Sequence, residues 1–342
     1  MKRILIIVLL VLLLVGAFFG WHFYTKVFGP GPRFDTGDRI LLIPTGSTYE
    51  EVMENLKQSG FIADEKTFSL VAKRKKYASK VKPGRYRLPS GISLNDLVNK
   101  LRNGEQEPVR ITFTNIRTLP QLAGQVSKYI EADSLALIEA MRDQATVDRL
   151  GFRSETMMCL FVPNTYELWW TTTPEEFLQR MTKEYKRYWT EDRKAKAKRI
   201  NLSQSEVSTL ASIVQAETAK PDEAPIIAAV YLNRLRIGMA LQADPTLKFA
   251  LGMDSLSRIL AKDLEIDSPY NTYTHVGLPP GPINMPEPRY IDAVLNAQKN
   301  DFLYFCARET LDGYSNFAKT YEQHLVNARR YQRALNERGI FR

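Results

Sequence analysis

The first two dozen residues constrain this chain most. Lys2 and Arg3 precede an apolar run of 21 residues, Ile4 to Tyr24, with no acidic or basic side chain except His22. A helix needs about 20 such residues to cross a bilayer. Trp21, Phe23 and Tyr24 close the run with rings suited to a membrane interface. The apolar core of a cleaved signal peptide is shorter, about 7–15 residues, and ends at a small-residue site. No such site follows here, and no cysteine stands there to carry lipid. The run therefore predicts an uncleaved single-span anchor, residues 1–24 with a cytoplasmic tip, because the positive flank stays inside. Everything from about Phe34 onward is expected outside the cytoplasm, attached to a bacterial plasma membrane through residues 4–24. Residues 25–37 read as a linker stiffened by Gly29-Pro30-Gly31-Pro32, whose prolines and missing third glycine exclude a dinucleotide loop.

Composition narrows the partners. Lys and Arg number 47 against 38 Asp and Glu, a net charge of +9, which calls for an anionic neighbour: membrane, wall polymer or nucleic acid. Two basic stretches carry aromatic residues, Lys73 to Lys82 around Tyr77, and Lys183 to Arg199 with Tyr185, Tyr188 and Trp189. An exported chain seldom meets nucleic acid, so solvated helix faces near an anionic envelope are the better reading, with no nucleic-acid partner. Two cysteines and three histidines leave no room for a Cys-rich metal site and little for a His-based one. Cys159 and Cys306 either pair in an oxidising compartment or remain two buried thiols; their spacing does not decide.

Elements of both kinds follow the linker, so the expected class is α+β. Arg39 to Pro44 reads as a strand, and Thr48 caps a helix with Glu50 and Glu51 in its first turn. Phe61, Ile62, Phe68 and Val71 mark a second helix, and Gly84 to Pro89 a second strand. A helix with Leu94, Leu97, Val98 and Leu101 on one face follows, then an alternating strand, Val109 to Phe113, and a helix capped at Thr118. Residues 38–108 thus form a small β-α-α-β domain, and residues 109–150 fit a second such unit. Units of this kind resemble LysM modules, which bind glycans; a plain spacer fold fits the same pattern.

Ser203-Gln-Ser-Glu206 is a capping box that heads a helix through Glu217. At about 100° per residue, Val207, Leu210, Ala211 and Val214 share a stripe, with Ser205, Ser208, Ser212 and Ala216 on the opposite side. Glu217 lies four positions after Ile213 and seven after Leu210, which sets a carboxylate on the core-facing side. Burial there raises its pKa and suits it to general-acid work. A structural Glu held by a buried cation or by backbone amides meets the same geometry. A second helix runs over Ala228 to Leu235, then a polar loop, Gly238 to Thr246. Two turn-rich segments, Asp267 to Tyr273 and Gly277 to Ile283, carry aromatic and amide side chains suited to sugar rings and their hydroxyls.

Five of these segments stand in a recognisable order: Leu210–Thr218 (LASIVQAET), Val230–Leu235 (VYLNRL), Leu241–Thr246 (LQADPT), Asp267–Tyr273 (DSPYNTY) and Gly277–Ile283 (GLPPGPI). Together they resemble the YceG-like endolytic murein transglycosylase family. Phe161–Tyr166 (FVPNTY) and Asn316–His324 (NFAKTYEQH) are similar to two further family segments. Three positions depart from the pattern: Gln215-Ala216 replaces the common Glu-Lys, Asn164 an acidic residue, and Ser315 a histidine.

The resemblance implies a catalytic domain over residues 109–342 with Glu217 as its catalytic residue. The implied reaction cleaves the β-1,4 bond between N-acetylmuramic acid and N-acetylglucosamine in peptidoglycan and leaves 1,6-anhydro ends. One carboxyl can protonate the leaving oxygen and then take the proton of the attacking O6, so a second catalytic carboxylate is not obligatory. Gln242, Asp244, Thr246, Tyr270, Asn271 and Tyr273 are the expected substrate contacts, with Tyr166 and His324 further candidates. No metal or organic cofactor is implied. Glycan strands are the expected partner, and peptidoglycan synthases a further one. Two rivals stay open: a hydrolase using Asp244 as its second carboxylate, and a membrane-tethered, non-catalytic wall-binding protein.

Overall fold

The computed structural model describes residues 2–35, 37–252 and 259–340. Its first helix, α1, spans Lys2–Phe28 and is long and apolar enough to cross a membrane from Arg3 to Phe28. It continues four residues past the apolar run, into the stretch expected as linker, before Gly29 and Pro30 end it. Beyond it the chain divides into two compact units.

The first unit holds residues 1–111, 129–132 and 166–173. In order come β1 (Arg39–Ile43), α2 (Tyr49–Gln58), α3 (Glu65–Arg74), β2 (Gly84–Leu88), α4 (Leu94–Asn103) and β3 (Val109–Thr112). Strands β1 and β2 pair antiparallel with Leu41 opposite Tyr86, which turns Leu41, Ile43, Tyr86 and Leu88 into the core. Thr48 and Glu51 form a complete capping box at α2. Phe61 and Ile62 precede α3 instead of opening it. Asp64 is the reason: its carboxylate accepts from the Lys66 and Thr67 amides and starts the helix there. Tyr77, expected on a solvated basic face, is fully buried in this core. Strand β3 pairs with β4 (Thr165–Leu168).

The second unit holds residues 112–128, 133–165 and 174–342 and is mostly helical. Helices α5 (Leu119–Val126), α6 (Ser134–Arg142) and α7 (Gln144–Leu150) lead to a 3-10 segment, Ser154–Leu160. Then come α8 (Pro174–Tyr188), α9 (Glu191–Arg199), α10 (Gln204–Glu217), α11 (Ala224–Arg236), α12 (Asp244–Ala250) and α13 (Pro288–Leu295). An antiparallel pair, β5 (Tyr304–Ala307) and β6 (Ser315–Ala318), precedes α14 (Tyr321–Glu337). Trp189 is buried in the core built by α10, α11 and α13, so the second basic stretch also uses its largest ring for packing. Cys159 and Cys306 are separate thiols, the first buried and the second half-buried.

Helix α10 is enclosed on more sides than its sequence suggested. Ser208 and Ser212, expected on the outer side, are 2% and 0% exposed. The Ile283 amide donates to Ser212 Oγ at 3.0 Å, and Asn284 Nδ2 donates to the Ser212 carbonyl at 3.0 Å. A serine face suits backbone approach, because each hydroxyl supplies the partner that a buried amide requires.

Candidate active site

Helix α10 ends at Glu217, and α11 runs past it. The Tyr231 hydroxyl donates to Glu217 Oε1 at 3.0 Å, from a side chain only 1% exposed. This leaves Oε2 for a reacting group. Burial raises the Glu217 carboxyl to about 7, the Tyr231 hydrogen bond lowers it, and the Asp244 charge pushes it up again. Arg234 and Lys248 pull it down. Glu217 is half-buried as a residue, and its carboxyl is desolvated.

Asp244 opens α12 and is exposed; its Oδ1 accepts from the Tyr273 hydroxyl at 2.5 Å. Desolvation of its ring, and then that bond, hold Tyr273 above its usual titration range, with the Asp244 and Glu217 charges also raising it. The segment read as a polar loop, Gly238 to Thr246, is instead anchored by fully buried Leu241, Ala243 and Thr246, and its last three residues begin α12. Gln242, exposed, takes a left-handed φ of 49°, and its amide donates to the Thr272 carbonyl at 2.9 Å. Thr272 also bonds the Ala243 amide and the Thr246 hydroxyl, which ties the two loops together.

Thr246 and Asn271 have no exposed side chain to offer a substrate. Thr246 Oγ1 donates to the Ala243 carbonyl at 2.7 Å. Asn271 Nδ2 donates to the carbonyls of Leu264 and Ile266, both at 2.9 Å, and its Oδ1 accepts from the Tyr273 amide. Both residues build the loops that present Gln242, Asp244 and Tyr273. Tyr270 packs on Phe249 at 4.8 Å and feels Glu155 and Cys159, not Glu217, so it belongs to a neighbouring cavity. Tyr166 lies in the first unit, buried on β4. His324 stacks on Tyr304 at 5.5 Å, and burial and the Arg234 charge lower its pKa.

Two residues of the site stand in the sequence only as parts of the helix motif Val230–Leu235. Tyr231 and Arg234 stand three apart on α11 and share a face. Arg234 is 7% exposed; it donates to the carbonyls of Leu303 and Leu241, each at 2.7 Å, and lies over the Tyr304 ring. It thus pins the loop that carries Gln242 and Asp244. A guanidinium and a phenol on the buried side of a mostly apolar helix are the signal.

The comparisons settle the family. The YceG-like family profile matches residues 41–330. The chain belongs to the YceG-like family. A YceG-like member from Listeria monocytogenes, known from a 2.6 Å crystal structure, is 27% identical with a TM-score of 0.57, over 85% of this chain and 99% of that one. Among YceG-like relatives, the "endolytic murein transglycosylase" of Bacillus subtilis strain 168 is 32% identical over 86% of this chain and 85% of its own length. The protein of that name from Streptococcus pneumoniae D39 is 31% identical over 93% of this chain. This chain spans 63% of the pneumococcal relative's length. Of the three departures from the family pattern, Gln215 accepts the Glu287 amide at 2.7 Å, Asn164 accepts the Thr165 amide at 2.7 Å, and the Ser315 amide donates to buried Glu223 at 2.8 Å.

Proposed function

We propose that this chain is an endolytic lytic transglycosylase of peptidoglycan. It cleaves the bond between N-acetylmuramic acid and N-acetylglucosamine and closes a 1,6-anhydro ring on the muramyl end. The placement of Glu217 carries the reading: this carboxyl ends α10, accepts a hydrogen bond from buried Tyr231 and is pushed up to about 7 by burial, which suits it both to give and to take a proton near neutrality. Protonated, it delivers its proton to the leaving O4. Ionised, it accepts the proton of the muramyl O6 as that oxygen attacks the anomeric carbon. Tyr231 fixes one carboxyl oxygen so that the other faces the sugar. Gln242, Asp244 and Tyr273 orient the glycan across the site, and their preorganisation by Thr246, Asn271 and Arg234 lowers the cost of alignment. Names carried by the relatives from B. subtilis and S. pneumoniae support the same activity.

Around that centre we place a single-span anchor with a cytoplasmic tip at residues 1–24, a linker at 25–37, a LysM-like glycan-binding domain at 38–108 and the catalytic domain at 109–342. The anchor would keep the site near the membrane face where new strands emerge, with synthases as neighbours. His324 would contact glycan beyond the reacting pair, whereas Tyr166, buried on β4, has no surface to offer it.

The test is digestion of purified peptidoglycan by the full chain in detergent, with mass analysis of muramyl ends. Ends one water lighter than hydrolytic ones are expected. Glu217→Gln should keep the fold and lose at least about a hundredfold in rate, the usual scale for a general acid-base group. Ordinary reducing ends would establish a hydrolase, with Asp244 as its second carboxylate. A folded protein that binds glycan but never cuts it would sink both enzymatic readings.

A further inference from the structure

The first unit contains a cavity of about 450 Å³, inside the range of about 300–1,000 Å³ typical of ligand pockets. Its floor is apolar and buried: Phe61 and Ile62 ahead of α3, and Leu97 on α4. Half-buried Ile92 and Leu94 continue one wall. The last turn of α1 supplies Thr25 and Lys26, which with Pro30 and Ala63 are exposed and mark the mouth. Four polar side chains line the cavity, and each is already engaged. Lys26 and Asp64 pair at 2.8 Å. Thr67 Oγ1 donates to Asp64 Oδ2 at 2.8 Å, and Thr25 Oγ1 donates to the His22 carbonyl at 2.9 Å. No unmatched charge remains to select an ion, and a sugar would exchange water for few polar partners. A hydrocarbon chain would cover apolar wall that is otherwise left to water.

The cavity also has a defined place along α1. The apolar run Ile4 to Tyr24 rises about 31 Å as a helix, which matches a hydrocarbon core of about 30 Å. Thr25, the first lining residue, comes directly after Tyr24. A span that places this run in the core therefore sets the mouth at the core's edge, where lipid chains are the nearest apolar matter.

We infer that this cavity holds one acyl chain of a bilayer phospholipid, splayed out of the bilayer beside the last turn of α1. The inference rests on the single-span anchor placed above and goes beyond the catalytic reading: the lipid would fill the junction between the anchor and the first unit.

The experiment places the full chain in phosphatidylglycerol nanodiscs doped with the same lipid carrying a diazirine at the end of one acyl chain. After photolysis, labelled peptides are mapped by mass spectrometry. Such a chain end ordinarily lies at the bilayer midplane, about 15 Å below the edge of the core, and cannot reach the first unit from there. Label is expected along Ile4 to Tyr24 and also at residues 61–67 and 92–97. Ala63→Trp, which sets a large ring at the exposed mouth, should remove the label from 61–67 and 92–97 and leave that along α1. Label confined to α1 in the native chain would overturn the lipid site and leave the anchor standing. Label at the cavity with none along Ile4 to Tyr24 would keep the site and sink the anchor. Cavity label that persists in Ala63→Trp would reduce it to surface contact and overturn the site. A polyisoprenyl phosphate with the diazirine on its chain tests the source. Cavity label from that probe, with none from the phospholipid, would overturn the acyl assignment.

Discussion

Glu217 feels opposing neighbours, and each can be removed by nearly isosteric substitution. Tyr231→Phe deletes the hydrogen bond that lowers its pKa, so the pKa should rise. Asp244→Asn deletes the charge that raises it, so the pKa should fall. Native kcat/KM should decline on the alkaline side with a midpoint of about 7, as the acid form is lost. The two variants should displace that midpoint in opposite directions, whatever they do to its height. A common direction, or no displacement, would show that another group sets the limb. The same pKa bears on stability. A carboxyl raised from 4.5 to about 7 on folding binds its proton more tightly in the native state. Its stabilisation is therefore complete below 4.5 and lost as pH rises through about 7. Glu217→Gln, which carries no charge to desolvate, should then be more stable than the native chain at pH 8 by about 3 kcal/mol. Urea unfolding at pH 5 and pH 8 measures the difference, which should shrink to about a quarter at the lower pH.

Helix α10 shows what the sequence could and could not say at the scale of an element. Its start was legible because the Ser203–Glu206 box is a local device, present in the structure as both reciprocal bonds. The position of Glu217 was legible from the helical repeat. Burial of Ser208 and Ser212 was not, since no residue of α10 announces that Ile283 and Asn284 will approach its polar side. The approaching segment carries its own trace in Gly281, where a Cβ would strike the Glu155 carbonyl. Likewise, Asn271 and Thr246 look like sugar contacts by residue type, and only their long-range bonds show that they hold loops. Ser212→Ala should leave the Ile283 amide buried without a partner and cost about 1–3 kcal/mol. Because Ser212 touches the 277–283 segment and not the Glu217 carboxyl, stability should fall while the alkaline midpoint stays in place. A midpoint that moved with stability would mean that this segment helps to set the Glu217 environment.

For the molecule as a whole, the junction between anchor and first unit matters most. Helix α1 does not hand over to a free tether, because Val27 near its end is 4% exposed within the core of the first unit. Lys26 pairs with Asp64, the residue that caps α3, at 2.8 Å. The Gly31 amide donates to the Gly91 carbonyl at 3.1 Å, and the Gly91 amide donates to the Pro32 carbonyl at 2.9 Å, so the glycine-proline stretch is fastened too. Its prolines leave little slack between these points. Under the single-span reading proposed above, a helix seated in this way would fix the height of the first unit above the bilayer, which a flexible leash would not. A chain cut to residues 37–342 should therefore lose more than its membrane attachment. Removing the buried Val27 side chain alone should destabilise the first unit by about 2 kcal/mol. Hydrogen exchange of the full chain in detergent against the cut chain reads this directly. Amides of α3 and α4 should exchange about tenfold or more faster in the cut chain, while those of α10 and α11, in the second unit, should keep their protection. Unchanged exchange in α3 and α4 would show that the anchor only tethers the first unit and contributes nothing to its fold.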